Sequence, residues 1–153
     1  MTRPTEGASP ETQHSFAFTA VTEFHRVFRL PMTAKPTMDV GDELAKLRVD
    51  LLVEEVGEFA DATKRQDLIA LADALGDIVY VAYGAALTYG IDLDAVLAEI
   101  HRSNMSKLDE HGQPIFRPDG KVLKSSSYSP PDVASVLDRQ GVLPNVLSSQ
   151  ARG

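Results

Sequence analysis

The chain has 153 residues, 43% of them hydrophobic, and a formal net charge of −7, which suits one domain able to bury a core and argues against binding a nucleic-acid polymer. Cysteine is absent, so disulfides and thiolate metal sites are excluded, and a cytoplasmic location is expected. The charge is uneven: residues 1–100 carry 8 Lys/Arg against 17 Asp/Glu, a net of −9, and residues 101–153 carry 7 against 5, a net of +2.

Residues 1–11 are polar and proline-containing, and are expected to form a loose tail without a secretory signal. Residues 12–140 are expected to fold as one all-α domain of four-helix-bundle type, with 141–153 as a second tail. Thr12 to Phe28 places Phe16, Ala20, Phe24, Val27 and Phe28 at helical spacing. Leu30 to Val40, with Pro31 and Pro36, is a connection. Asp42 is a candidate N-cap for a second helix over about Glu43 to Ala62, closed by Lys64-Arg65-Gln66. A third helix runs from about Asp67 to Tyr89 and stops at Gly90. It is apolar nearly all round, as a buried central helix would be. Its most apolar stretch, Ile78 to Tyr89, is too short and mixed for a membrane span. Asp92 caps a fourth helix reaching about Met105. A looped basic segment follows, with a possible hairpin about Pro118-Asp119-Gly120 and one short helix over Asp132 to Arg139.

Positions three and four apart share a helix face. On helix two the stripe Leu44, Leu47, Leu51 continues into Glu54, Glu55 and Glu58. Helix three has one polar stripe, Asp73, Asp77, Gly84 and Thr88, with Tyr80 beside it. Taken alone, Glu54-Glu55 would be a solvated surface pair. Two acidic clusters that both prolong apolar stripes instead ask for a cation, because carboxylates are rarely buried unless paired or metal-bound. All-oxygen ligands suit Mg²⁺, with Mn²⁺ as a substitute. A di-iron bundle needs Glu-x-x-His on two helices, and the sole such spacing is Glu11 to His14. Asn104 and Lys107 end helix four, and Arg117, Lys121 and Lys124 follow. Metal on one side and Lys/Arg on the other is what a triphosphate requires, although any single lysine here is also a normal solvated residue.

Glu54-Glu55-x-x-Glu58 followed by Asp73-x-x-x-Asp77 resembles the acidic signature of the all-α nucleoside triphosphate pyrophosphatases. That superfamily comprises the MazG proteins, the dimeric dUTPases and the phosphoribosyl-ATP pyrophosphohydrolases. The run His101 to Leu108, Asp119 to Lys124 and Tyr128-x-Pro130-Pro131-Asp132 resembles a MazG-like branch. The resemblance, over roughly Phe16 to Leu137, implies attack of water on the α-phosphate, giving monophosphate and pyrophosphate. It implies Glu55, Glu58 and Asp77 as metal ligands, and Glu54 as a ligand or the group that orients and deprotonates water. It also implies phosphate contacts from Asn104 and Lys107, with Lys121, Lys124 and Tyr128 as further candidates. The family's usual glutamate three residues before Asp77 is here Ala74, so Asp73 is taken as the substitute ligand. A homodimer or homotetramer is implied as well. The favoured substrate is dUTP, converted to dUMP in nucleotide-pool housecleaning. Phosphoribosyl-ATP hydrolysis and a non-catalytic cation-binding bundle are the alternatives.

Overall fold

The computed structural model describes residues 13–143, and they form five helices without a strand. These are α1 (Phe16–Val27), α2 (Asp42–Arg65), α3 (Leu68–Thr88), α4 (Leu93–Met105) and α5 (Val133–Arg139). The all-α expectation holds. Residues expected to start helix one lie partly outside the described residues; α1 itself begins at Phe16, where the Ser15 hydroxyl accepts from the Phe18 amide at 3.1 Å. Asp42 is the first residue of α2 and not its cap. That position falls to Gly41, whose φ of +84° suits a residue without a Cβ. At the other end α2 runs on through Lys64 and Arg65 and stops at Gln66 in the left-handed region. The hairpin reduces to one bridge, Phe116 to Val122.

Where a short polar side chain precedes an apolar run, the helix start falls as expected. Asp67, Asp92 and Asp132 accept from the amides of Ala70, Ala95 and Ser135 at 3.0, 3.1 and 3.0 Å. Each such cap is worth about 1 kcal/mol.

The main contact is the α2–α3 hairpin, joined by Gln66 and Asp67 alone; α1 crosses α3, and α5 packs on α4. A two-residue link makes α2 and α3 antiparallel neighbours, so residues count away from the turn together. The core is Phe18 and Val21 from α1, Tyr83 and Leu87 from α3, and Leu143, with Met32, Ala34 and Leu93 against it. Leu143 lies on the tail side of the expected boundary, yet its amide donates to Ala34 O at 3.0 Å and its side chain is buried.

The core sits at one end of α3, and this corrects the view of that helix as buried throughout. Its C-terminal half carries the buried Tyr83, Gly84, Ala86, Leu87 and Thr88, whereas Ile69 is 85% exposed and Leu75 and Val79 are nearly half exposed. On α2, Val49, Val53 and Val56 (i, i+4, i+7) are likewise exposed. A single chain therefore leaves an apolar face on the α2–α3 pair. By length and composition α3 also reaches the range of a membrane span, contrary to the expectation drawn from Ile78 to Tyr89. Asp73 and Asp77 lie within it, and its C-terminal half packs Tyr83 and Leu87 against Phe18 and Val21 of α1.

His25 lies inside the α1–α3 crossing, 2% exposed, its Nδ1 3.3 Å from Pro31 O. Burial, then the nearby Arg48 charge, lowers its pKa from 6.5 to about 4. The unfolded chain therefore binds a proton that the folded chain refuses between those values. Stability is full above pH 6.5 and declines as pH falls toward 4, by up to about 3 kcal/mol. His25→Gln should flatten the unfolding free energy between pH 6.5 and 4; an unchanged slope in urea titrations would remove His25 as its source.

Candidate functional site

Counting back from the hairpin turn sets the acids against each other. Glu55 of α2 faces Asp77 of α3, and Glu58 and Asp73 line one open cleft of about 300 Å³ with Asp61, Arg65 and Ala70. Of the five carboxylates expected to form a site, Glu55 is half-buried and Glu54, Glu58, Asp73 and Asp77 are exposed. They line the seam between two helices and do not enter the core. Glu55 is pushed above its ordinary pKa, first by desolvation and then by the charges of Asp77, Glu58, Glu54 and Asp73. Its Oε2 is buried with no hydrogen-bond partner. Among the described residues no lysine or arginine forms an ion pair with any of the five.

An orphaned carboxylate oxygen facing four like charges fits a hard divalent cation. The donor set is all oxygen, and Glu55, Asp77, Glu58, Glu54 and Asp73 are the residues that would hold it. Ala74, where the resemblance anticipates glutamate, is fully buried. A longer acidic side chain there would point into the helix packing, whereas Asp73 is exposed on the cleft.

The basic candidates form a separate group. Lys107 Nζ donates to Asn104 Oδ1 at 2.7 Å at the end of α4. Lys124 sits 4.3 Å from the centre of the Tyr128 ring, a cation–π contact. A Ser103 hydrogen bond and the charges of Lys124 and Lys107 draw the Tyr128 phenol below its usual pKa. Lys121 is exposed, next to the Arg117–Asp119 ion pair. The segment is pinned to α4 through Glu99, whose carboxylate accepts from Arg102 at 2.8 Å and from the Asp132 amide at 2.8 Å. Those bonds lower its pKa to about 2.

Two features escaped the sequence reading. His14, Asp92 and Asp94 bring ligand atoms within 4.8 Å of one another. Asp94 already accepts from the Ser15 amide and hydroxyl, each at 2.7 Å, and from Tyr83 at 2.8 Å, with His14 Nδ1 at 3.4 Å. Burial opposes its charge, and these bonds outweigh that and hold its pKa low. The cluster clasps the start of α1 to the start of α4, with His14 Nδ1 buried and without a hydrogen-bond partner of its own. The second feature is Arg48, 7% exposed, its Nε without a partner. A signal was present: Arg48 lies four residues after Leu44 and seven before Glu55, on the stripe that carries the acids.

The profile of the phosphoribosyl-ATP pyrophosphohydrolase family matches residues 21–104. An uncharacterized protein, L479, of Acanthamoeba polyphaga mimivirus is 35% identical over 128 residues, covering 80% of this chain and 48% of that protein. The chain thus spans about half the length of the curated relative it matches.

Proposed function

The chain belongs to the phosphoribosyl-ATP pyrophosphohydrolase family, within the all-α nucleoside triphosphate pyrophosphatases, and from that premise we propose that it hydrolyses a (deoxy)nucleoside triphosphate to monophosphate and pyrophosphate with Mg²⁺. The observation that carries this reading is the orphaned Glu55 oxygen among Asp77, Glu58, Glu54 and Asp73. Mn²⁺ is the natural substitute cation, since it shares the preference for carboxylate and water.

Bound Mg²⁺ would neutralise polyphosphate charge and make a bound water more acidic. Glu55, Glu58, Asp73 and Asp77 are the residues that would hold it. Glu54, exposed beside them, orients the water and takes its proton. The water oxygen attacks the α-phosphorus, the bond to the β-bridging oxygen breaks, and pyrophosphate leaves with the electron pair. Lys107, held by Asn104, balances charge on the phosphates, with Lys121, Lys124 and Tyr128 beside it. We favour dUTP as substrate, on the strength of a one-domain, dimeric-dUTPase-like acidic pattern. The match to the family profile supports a second reading, phosphoribosyl-ATP, in which the same bond is broken.

The exposed apolar stripes of α2 and α3 support a homodimer built on that face, or a homotetramer that contains it. A panel of (d)NTPs and phosphoribosyl-ATP with Mg²⁺, products resolved by chromatography, tests the activity. Pyrophosphate release from dUTP well above the others is expected. Orthophosphate as product, or no hydrolysis, refutes the enzyme, and phosphoribosyl-ATP alone being cleaved selects the second reading. Sedimentation of the same sample should give two or four chain masses; a monomer at micromolar concentration removes the oligomer.

A further inference from the structure

Arg48 is more than nine-tenths buried, and its Nε is buried without a hydrogen-bond partner. A buried charge left this way is costly. Neutral His25 beside it supplies no counter-charge. Gly84 on α3 makes the arrangement possible: a Cβ there would lie 3.0 Å from His25 Nε2 and 3.4 Å from Arg48 Nη1. The missing side chain leaves room for the guanidinium and the imidazole beside α3.

Its place on the seam suggests what it serves. Asp73, Asp77, Tyr80 and Gly84 follow one another along α3 at steps of four, three and four. Glu55 and Arg48 are likewise seven residues apart on α2, which at 1.5 Å per residue is about 10.5 Å. From the acids toward Arg48, away from the cleft at Glu58 and Asp73, the two facing helices thus carry in register carboxylates, an aromatic ring and then a donor-only cation. Tyr80 is 37% exposed and meets Phe24, also 37% exposed, edge-on at 5.6 Å, so apolar ring surface stays open between the two ends. A nucleoside stretched away from an α-phosphate at the carboxylates spans about this distance.

We propose that Arg48 reads the substrate base, donating to a keto oxygen of a nucleobase whose sugar and ring lie over Tyr80. Guanidinium has five donors and no acceptor. It therefore accepts a keto edge and rejects an exocyclic amino group in the same place. This assignment rests on the pyrophosphatase reading of the carboxylate seam and names its substrate class: keto bases such as uracil, in preference to cytosine.

The test compares wild type with Arg48→Met, which keeps a linear stem without donors, and Arg48→Lys, which keeps the charge without the fork. kcat/KM is measured for dUTP, dCTP and 2-deoxyribose 5-triphosphate, which has no base. The preference for dUTP over the abasic compound should fall about 10- to 100-fold in Arg48→Met, and that over dCTP should collapse; Arg48→Lys should fall in between and serves alone if the methionine variant does not fold. Equal losses for dUTP and the abasic compound, or no loss, overturn the assignment. Calorimetric binding of dUMP against 2-deoxyribose 5-phosphate separates it from the activity. A wild type that hydrolyses no nucleotide yet binds dUMP more tightly, through Arg48, refutes the pyrophosphatase and leaves the base contact standing. Equal binding of the two refutes the base contact.

Discussion

Glu55→Gln should lower turnover by at least about 10²-fold and, without divalent cation, raise the thermal midpoint. The two effects have one cause. Glu55 Oε2 is buried without a partner, and desolvation and four neighbouring carboxylates, Asp77 foremost, oppose its charge. Glutamine has nearly the same shape and no charge, so the cation-free protein is relieved of repulsion while the cation loses an anionic ligand. Mg²⁺ should then raise the midpoint of wild type by mass action and shift the variant far less. Asp77→Asn, across the seam, should behave alike. Calorimetric scans with chelator and with Mg²⁺ check this beside initial rates. A cation-free midpoint that drops in both variants would make these carboxylates structural, and full activity would remove them from the site.

Gly90→Ala should destabilise the fold by about 3 kcal/mol or more without touching the carboxylates. Gly90 has φ of +70°, and a Cβ there would lie 2.2 Å from Lys35 O and 2.9 Å from Thr33 O. Strain in the left-handed region adds to a collision with two backbone carbonyls that cannot step aside. Those carbonyls belong to the α1–α2 connection, laced to the end of α3 by Thr33 N to Leu87 O and Thr37 N to Tyr89 O, both 3.0 Å, and by the Thr33 hydroxyl to Thr88 O at 2.7 Å. Gln140 ties α5 to the same turn, its Nε2 2.7 Å from Gly90 O. Urea unfolding monitored by helical signal reads the loss; a shift below 1 kcal/mol would mean that the connection yields.

What was legible in the sequence was local. Asp67, Asp92 and Asp132 announce helix starts because a capping bond spans only three residues, and Gly90 announces a stop for the same reason. Asp42 misled because it looks like a cap, while the preceding Gly41 takes a backbone angle that composition does not display. The two acidic stripes were legible too, as prolongations of apolar faces; which acid opposes which follows from the two-residue turn that the structure shows. Burial was not. Leu47 of the helix-two stripe, and Leu75 and Val79 of the third helix, stand about half exposed in one chain, because apolarity reports that a surface is to be covered and not what covers it. Arg48 was passed over because an arginine is by default a surface residue, although it stands on the stripe of Leu44 and Glu55; the missing side chain of Gly84, on another helix, shows where it goes.

The even pitch of the α2–α3 seam has a consequence for how this protein can vary. Between Arg48 and Glu55 the outward positions can exchange one apolar residue for another at little cost to the groove. Their number cannot change, because one inserted or deleted residue rotates everything beyond it by about 100°. Either the arginine or the carboxylates would then face away from the other helix. The interval is tolerant in composition and rigid in length, and the same holds for its counterpart between Asp77 and Gly84.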